Sequence, residues 1–435
     1  MQELDDRIGA RFEWMSRDEL SKWQVEALRK AVEQAKKSPW YASKLKEAGV
    51  EPGDIKSLDD ATRLPLTSKD DLRLSYPTGM LSVAPEEIIR MHTSSGTTGK
   101  PTAIFHTRED VDNWAELMAR CLHGAGARPH DVFQNMSGYG LFTGGLGLHY
   151  GAERLGMWCI PAGAGNTARQ ITLIRDFHVT VIHATPSYAM HVAERMVQEG
   201  DDPRSLGIRI AALGAEPYTE EMRLKLQDLY GFKVFNSYGL SEMNGPGVAF
   251  ECEEQDGMHI WEDSFLVEVI NPDTLQPVKP GEVGELVMTT LRRTGMPIIR
   301  YRTRDLTRIM GDGCPCGRAH ARLARFVGRS DDMLIIRGVN VFPSQIEEVL
   351  MGHKWLGGNY VIHLSTKESL DQMTVKVEIA KSEFDGSIER LRDLRTELGR
   401  QIREQVGFTV NIDIIEPGGL PASEGKATRV IDERA

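Results

Sequence analysis

The chain has no apolar run of the ~20 residues that a membrane-spanning helix needs, so no membrane partner is expected. It also lacks a positive balance. Its 52 Lys and Arg are outnumbered by 63 Asp and Glu, and the net charge of −11 gives a nucleic-acid role no electrostatic support. Cysteine is scarce and odd in number, five in 435 residues, which excludes a disulfide scaffold. The opening Met1-Gln2-Glu3-Leu4-Asp5-Asp6 is acidic and carries no apolar core of a secretory signal. Internal repeats and low-complexity segments are absent. These absences together point to a cytoplasmic protein. What remains is ordinary globular material, 40% hydrophobic and 26% charged, long enough for two to three domains.

The apolar pattern predicts an α/β layout. Leu20, Trp23, Leu28 and Val32 stand among charges over residues 18–37, a helical spacing. Residues 179–184, 208–213 and 233–235 read as strands, each ending in a turn rich in Gly, Pro, Ser or Asn. Strands alternating with helices imply a parallel sheet, whose ligands gather at the strand C-ends. Residues 265–270 and 285–291 are β-rich, with turns at Asn271-Pro272-Asp273 and Lys279-Pro280-Gly281. A boundary is expected near 330, dividing the chain into 1–330 and 331–435. The second part reads as strand 333–337, helix 343–351, strands 360–364 and 373–379, helix 387–405 and strand 409–415, a small α+β domain.

The densest chemistry lies at residues 93–101, Thr-Ser-Ser-Gly-Thr-Thr-Gly-Lys-Pro. Its hydroxyls, glycines and lysine suit a loop that surrounds phosphate oxygens. The Walker loop needs Gly-x-x-x-x-Gly-Lys-Ser/Thr, but Ser94 stands at the first glycine and Pro101 follows Lys100, so no hydroxyl is placed for Mg²⁺. Alone, the run would equally suit a surface turn. A second constellation comprises Cys252, His259, Cys314 and Cys316, a Cys₃His set of the kind that closes a structural zinc site. His320 could stand in for His259. Cys121 and Cys159 lie in apolar contexts and read as core.

Four further segments follow the phosphate-type loop: Ser237-Tyr238-Gly239-Leu240-Ser241-Glu242, Tyr301-Arg302-Thr303-Arg304-Asp305, Gly328-Arg329-Ser330-Asp331-Asp332 and Ser423-Glu424-Gly425-Lys426. In this order, over nearly the whole chain, they resemble the adenylate-forming superfamily of acyl-CoA synthetases, adenylation domains and luciferases. Leu213-Gly214-Ala215-Glu216-Pro217, Gly245-Pro246-Gly247 and the run from Asp331 to Gln345 look like its phenylacetate–CoA ligase branch.

The resemblance implies a large N-terminal adenylate-forming domain of helices with mixed and parallel sheets, plus a small mobile C-terminal α+β domain. It implies that Ser94, Ser95, Gly96, Thr97, Thr98, Gly99 and Lys100 hold the β- and γ-phosphates of ATP. Glu242 matches the Mg²⁺-binding glutamate. Gly214, Ala215, Glu216 and Pro217 match one adenine-enclosing segment, and Asn236, Ser237, Tyr238 and Gly239 match the other. Asp305 matches the ribose-binding aspartate, with Arg329 assisting. Lys426 matches the lysine between the substrate carboxylate and the α-phosphate, so Lys426, Glu242 and Thr98 form the catalytic set. Tyr139 and Phe142 would line the aryl pocket, and Asp331 would be the hinge. The activity implied is ATP-dependent conversion of phenylacetate, or a close aryl acid, first to an acyl-adenylate and then to its coenzyme A thioester. AMP and pyrophosphate are released. The alternatives are a ligase for benzoate or indoleacetate, or an enzyme loading a separate carrier protein. The branch also implies a homodimer.

Overall fold

In this computed structural model the described residues are 4, 7–94, 102–141, 143–311, 313–331, 334–336, 339–367, 370–383, 387–421 and 428–434. The chain forms two compact units, each assembled from two stretches: Met1–Gly163 with Phe235–Arg325, and Ala164–Val234 with Phe326–Ala435. The single cut expected at 330 divides the chain differently from this grouping.

In the first unit, the helix Arg17–Ala35 starts where Ser16 and Glu19 form a capping box, and it buries Leu20, Leu28 and Val32 as the spacing predicts. Trp23 stays half-buried because its indole donates to the Asp263 carbonyl at 3.0 Å. The strands Arg90–Ser94 and Thr102–His106 pair antiparallel, and Ser94↔Thr102 is the last pair before the intervening loop. Val132–Asn135 pairs parallel with Trp158–Ile160. Lys233–Leu240, Gly245–Glu251 and Met258–Ile260 pair antiparallel in succession. Gly239 is required there, since a Cβ would lie 2.0 Å from the Gly245 carbonyl oxygen. Phe265–Ile270, Gly284–Thr290 and Tyr301–Thr307 form a second antiparallel set.

That last pairing positions a site residue. Glu285 opposes Leu306 and Val287 opposes Arg302, so residues 303–305 all face the single Leu286 and bulge outward. Thr303 fastens the bulge by donating to the Leu286 carbonyl at 2.8 Å. Arg300 and Arg304 have positive φ, 45° and 69°, a strained backbone for residues with a side chain. Bidentate ion pairs hold the arginines in place: Arg300 on Glu268 at 2.9 Å, and Arg302 on the fully buried Glu285 at 2.8 and 2.9 Å.

In the second unit, Val181–Ala184 and Ile210–Gly214 are buried parallel strands. The helices Pro186–Glu199 and Glu220–Tyr230 follow them in sequence, each with a threonine N-cap. The C-terminal stretch builds a four-stranded sheet in the order Asn411–Ile415, Leu370–Ile379, Leu356–Lys367, Val430–Asp432. The outer pairings are parallel and the central one antiparallel. The helix Ile388–Val406 buries Leu394, Leu398 and Ile402. Within this unit Glu194 accepts from the Gly358 amide at 2.9 Å, and the buried Glu347 accepts from the Tyr360 hydroxyl at 2.7 Å. Among the described residues, no helix is long and apolar enough to cross a membrane.

Candidate active site and metal centre

Several expected site residues lie outside the described residues: Ser95, Gly96, Thr97, Thr98, Gly99, Lys100, Phe142 and Lys426. Ser94 ends the first strand of the hairpin that carries the phosphate-type loop.

The first unit holds Glu242 in a single 3₁₀ turn, Ser241–Met243, directly after the strand Lys233–Leu240. Glu242 is buried, yet its carboxylate has no hydrogen-bond or ion-pair partner among the described residues. A carboxylate on so buried a residue, with no partner among the described residues, is well placed to meet a cation. The turn is held from both sides. Thr143 Oγ1 lies 3.2 Å from Ser241 Oγ, and Arg293 donates through Nη1 to the Glu242 carbonyl at 2.8 Å. Through Nη2 the same arginine donates to the Phe105 carbonyl at 3.2 Å, on the hairpin. Arg293 is 3% exposed, and burial pulls its pKa down to about 10 against the attraction of Asp110 and Glu242.

Tyr238 and Asp305, expected on opposite parts of a bound nucleotide, meet directly. The Tyr238 hydroxyl donates to Asp305 Oδ2 at 2.6 Å, and the Asp305 amide donates to Thr303 Oγ1 at 3.1 Å. The Asn236 amide is fixed by Glu251 Oε2 at 2.8 Å.

Tyr139 is half-buried, and its hydroxyl takes a hydrogen bond from Asn135 Nδ2 at 2.9 Å. His149 Nδ1 lies 3.2 Å from that hydroxyl and 3.2 Å from Cys159 Sγ. Burial pushes the Tyr139 phenol up to about 12, so it stays neutral. Cys121 is buried core as expected, whereas Cys159 is only half-buried and sits against His149.

The Cys₃His set comes together from three separate stretches. One ligand atom from each of Cys252, His259, Cys314 and Cys316 lies within 4.8 Å of every other. Cys252 Sγ and Cys314 Sγ are 3.7 Å apart, and Cys316 Sγ is 3.3 Å from His259 Nε2. Tetrahedral zinc with bonds of about 2.3 Å to sulfur separates two sulfurs by roughly 3.8 Å, so the donors fit. His259 Nδ1 contacts the His320 carbonyl at 3.2 Å, which directs Nε2 at the cysteines. His320 itself is outside the cluster. Its Nδ1 accepts from the Glu262 amide at 3.1 Å. Burial holds the His259 imidazole neutral, down to about 4, the form that ligates metal.

In the second unit, Gly214 ends its strand and Ala215 turns the chain with φ of 70°. Glu216 then accepts from the Ser187 amide at 2.7 Å, at the N-terminus of the Pro186–Glu199 helix. Arg329 forms a bidentate pair with Asp331 at 2.9 and 3.0 Å, so the expected ribose arginine grips the expected hinge residue.

Arg293 was not expected from sequence. It follows Arg292, and nothing in that dipeptide separates the two. Arg292 pairs with the carboxylates of Glu116 and Asp263, while Arg293 serves carbonyls beside Glu242.

Residues 17–291 match the family model of AMP-binding enzymes, and residues 338–434 match that of the AMP-binding enzyme C-terminal domain. The chain is 46% identical to a phenylacetate-coenzyme A ligase of Thermus thermophilus, covering 97% of this chain and 98% of that protein. It is 44% identical to one of Escherichia coli, covering 97% of each. Among solved structures, a 2-hydroxyisobutyryl-CoA ligase in its postadenylation state superposes with a TM-score of 0.92 at 32% identity, over 98% of this chain and 92% of that one.

Proposed function

This chain belongs to the AMP-binding enzyme family, as an AMP-forming acid–CoA ligase of the phenylacetate branch, and from that premise we propose that phenylacetate or a close aryl acetate is its substrate. The observation that carries this reading is 44–46% identity to phenylacetate-coenzyme A ligases over 97% of the chain.

A carboxylate is a poor electrophile at neutral pH. Its attack on the α-phosphorus of ATP expels pyrophosphate and leaves an acyl-adenylate. The thiol of coenzyme A then attacks the acyl carbon and AMP departs. The first step brings negative charges together, so positioning and electrostatic stabilisation carry it. In our assignment the loop Ser94–Lys100, including Thr98, holds the β- and γ-phosphates. Lys426 bridges the carboxylate and the α-phosphate. Glu242 would supply an oxygen ligand to Mg²⁺, a role supported by its buried position with no carboxylate partner among the described residues. Gly214–Pro217 and Asn236–Gly239 enclose adenine. Asp305 takes the ribose hydroxyls with Arg329 assisting, and the bond from Tyr238 to Asp305 supports one preformed surface for adenine and ribose. Tyr139, its hydroxyl tied to Asn135 and facing His149, lines the aryl pocket with Phe142.

We further assign 1–330 as the adenylating domain and 331–435 as a mobile domain turning about Asp331. Cys252, His259, Cys314 and Cys316 would hold a structural zinc ion. It would tie the chain at 252–259 to the loop at 314–316 and leave no open position for chemistry. A homodimer and a cytoplasmic location complete the reading.

The 32% identity to a 2-hydroxyisobutyryl-CoA ligase favours a small hydroxy acid as the second reading. Pyrophosphate release is the test, measured with phenylacetate, benzoate, indoleacetate, 2-hydroxyisobutyrate and linear acids, with and without coenzyme A. Phenylacetate should give the highest kcat/KM, and thioester should form. Preference for 2-hydroxyisobutyrate would replace the aryl assignment. Pyrophosphate release without thioester would favour transfer to a carrier protein.

A further inference from the structure

The loop that carries Tyr139 joins the strand Val132–Asn135 to the helix Gly144–Leu155. It lies so close on the helix that a Cβ at Gly145 would stand 2.5 Å from the Gly138 carbonyl oxygen. A chain of hydrogen bonds runs through this contact, and its direction is fixed from both ends. At one end is Asn135, which is fully buried. Its Oδ1 accepts from the Ser137 amide at 3.1 Å, so the other branch of the side chain is the donor Nδ2. Nδ2 donates to the Gly145 carbonyl at 2.7 Å and to the Tyr139 hydroxyl at 2.9 Å. Both its hydrogens are then used, and the tyrosine oxygen can only accept from it. The phenolic proton is left to point elsewhere.

At the other end, His149 and Glu153 stand one turn apart on the helix, and His149 Nε2 lies 3.1 Å from Glu153 Oε1. A carboxylate only accepts, so Nε2 holds a proton and the neutral ring leaves Nδ1 bare. Two hydrogen donors face that single lone pair, the Tyr139 hydroxyl and the Cys159 thiol, each at 3.2 Å. The thiol is the weaker donor, and the His149 carbonyl at 4.0 Å offers it a second acceptor. The lone pair therefore falls to Tyr139. The rings of Tyr139 and His149 meet edge to face, with centroids 5.8 Å apart. Tyr139 thus has no proton left to donate to a ligand, and its ring is anchored through its hydroxyl.

We propose that His149, set by Glu153, is a positioning residue for the acid substrate: it anchors the ring of Tyr139 by taking its phenolic proton, and so sets the affinity for aryl acids through Tyr139. The proposal rests on the reading that Tyr139 lines the aryl pocket. The test is a double-mutant cycle on the full-length enzyme, read as kcat for thioester formation and as KM for phenylacetate, ATP and coenzyme A. Tyr139→Phe removes the proton and His149→Leu removes its acceptor. Each should raise the phenylacetate KM by about three- to tenfold, the worth of one neutral hydrogen bond. The double variant should lose no more than either single one. The kcat and the KM for ATP and coenzyme A should hold, since the acid is bound less well in ground and transition state alike. His149→Asn, which can place an acceptor oxygen near where Nδ1 stands, should recover most of the loss. Cys159→Ala, which removes only the competing donor, should leave every KM unchanged. Glu153 is half-exposed, so Glu153→Leu, which frees the other tautomer, reads the same rise should His149→Leu fail to fold. Additive losses in the double variant, or a loss shared by the KM for ATP, overturn the proposal and leave His149 a packing residue. A rise with Cys159→Ala but not with Tyr139→Phe overturns it too, by giving the lone pair to the thiol. Tyr139→Ala reads the pocket separately. An unchanged phenylacetate KM there withdraws the pocket assignment and the proposal with it, whereas a raised KM with His149→Leu at the parent value overturns the proposal alone.

Discussion

Arg293 is a buried guanidinium that neutralises no carboxylate by direct contact among the described residues. It spends its hydrogen bonds on two carbonyls, Glu242 and Phe105. It therefore sets the backbone of the turn carrying Glu242 against the hairpin that carries the phosphate-type loop. Arg293→Met should leave both carbonyls unpaired and cost roughly 2–5 kcal/mol of stability. If it positions Glu242, it should also raise the Mg²⁺ concentration needed for half-maximal activity. A variant that melts earlier but keeps its Mg²⁺ dependence would reduce Arg293 to a structural part. Lys426→Ala tests a charge that matters in one half-reaction only. Adenylate formation should slow by about 3–4 kcal/mol, by analogy with loss of an oxyanion donor. Thioester formation from preformed acyl-adenylate should persist. Equal losses in both half-reactions would remove Lys426 from its assigned role. The two residues differ in how they can be read. Lys426 is legible because a motif surrounds it, whereas Arg293 acts through carbonyls that only the fold brings near.

At the scale of elements, periodicity identified the strands better than their ends. Residues 233–235 read as a short strand, but the strand runs Lys233–Leu240 because cross-strand pairing carries it through Ser237, Tyr238 and Gly239. Val339–Val341 and Val430–Asp432 went unread. Each is three residues long, and its extended state depends on a partner strand. The bulge at 303–305 was likewise invisible, since register depends on pairing and not on residue type. The Arg329–Asp331 pair is one short element with a kinetic consequence. Asp331→Pro removes the carboxylate from Arg329 and fixes φ near −65°. Stopped-flow traces should show adenylation still measurable while thioester formation falls. Both steps unchanged would take Asp331 out of the hinge. A buried strand residue should contribute to acid sensitivity in the second unit. His183 donates through Nδ1 to the Ala212 carbonyl at 2.8 Å, and burial pulls its pKa down to about 4. Below its ordinary value near 6.5 the unfolded chain takes up a proton that the folded one refuses. Stability attributable to His183 is thus intact above pH 6.5 and falls as pH drops toward 4. His183→Gln should lessen the loss between pH 7 and 5 by about 2 kcal/mol in urea titrations. An identical loss in the variant would assign acid sensitivity elsewhere.

At the scale of the whole chain, the Cys₃His cluster was legible as a set but not as a place. Cys252 lies 62 residues before Cys314, and only the sheet pairing brings them within 3.7 Å. The choice between His259 and His320 also needed the fold, where the His320 carbonyl contacts the His259 ring. Protein purified without added zinc should carry one zinc ion per chain by elemental analysis. A chelator or Cys314→Ser should lower the melting temperature first, with activity following, because a metal that binds the folded state stabilises it by mass action. A zinc content near zero with unchanged melting would return the cysteines to plain thiols.

The interleaving of the two compact units bears on how the protein is made. Residues 164–234 leave the ribosome well before 326–435, the stretch with which they are grouped. Residues 1–163 must likewise wait for 235–325. At about 5–20 residues per second, each early segment spends several seconds outside the tunnel without its partner stretch. The strand Val181–Ala184, apolar and fully buried in the finished protein, is exposed to chaperones throughout that interval. The first unit can close once residue 325 has emerged, and the second only after 326–435 has followed.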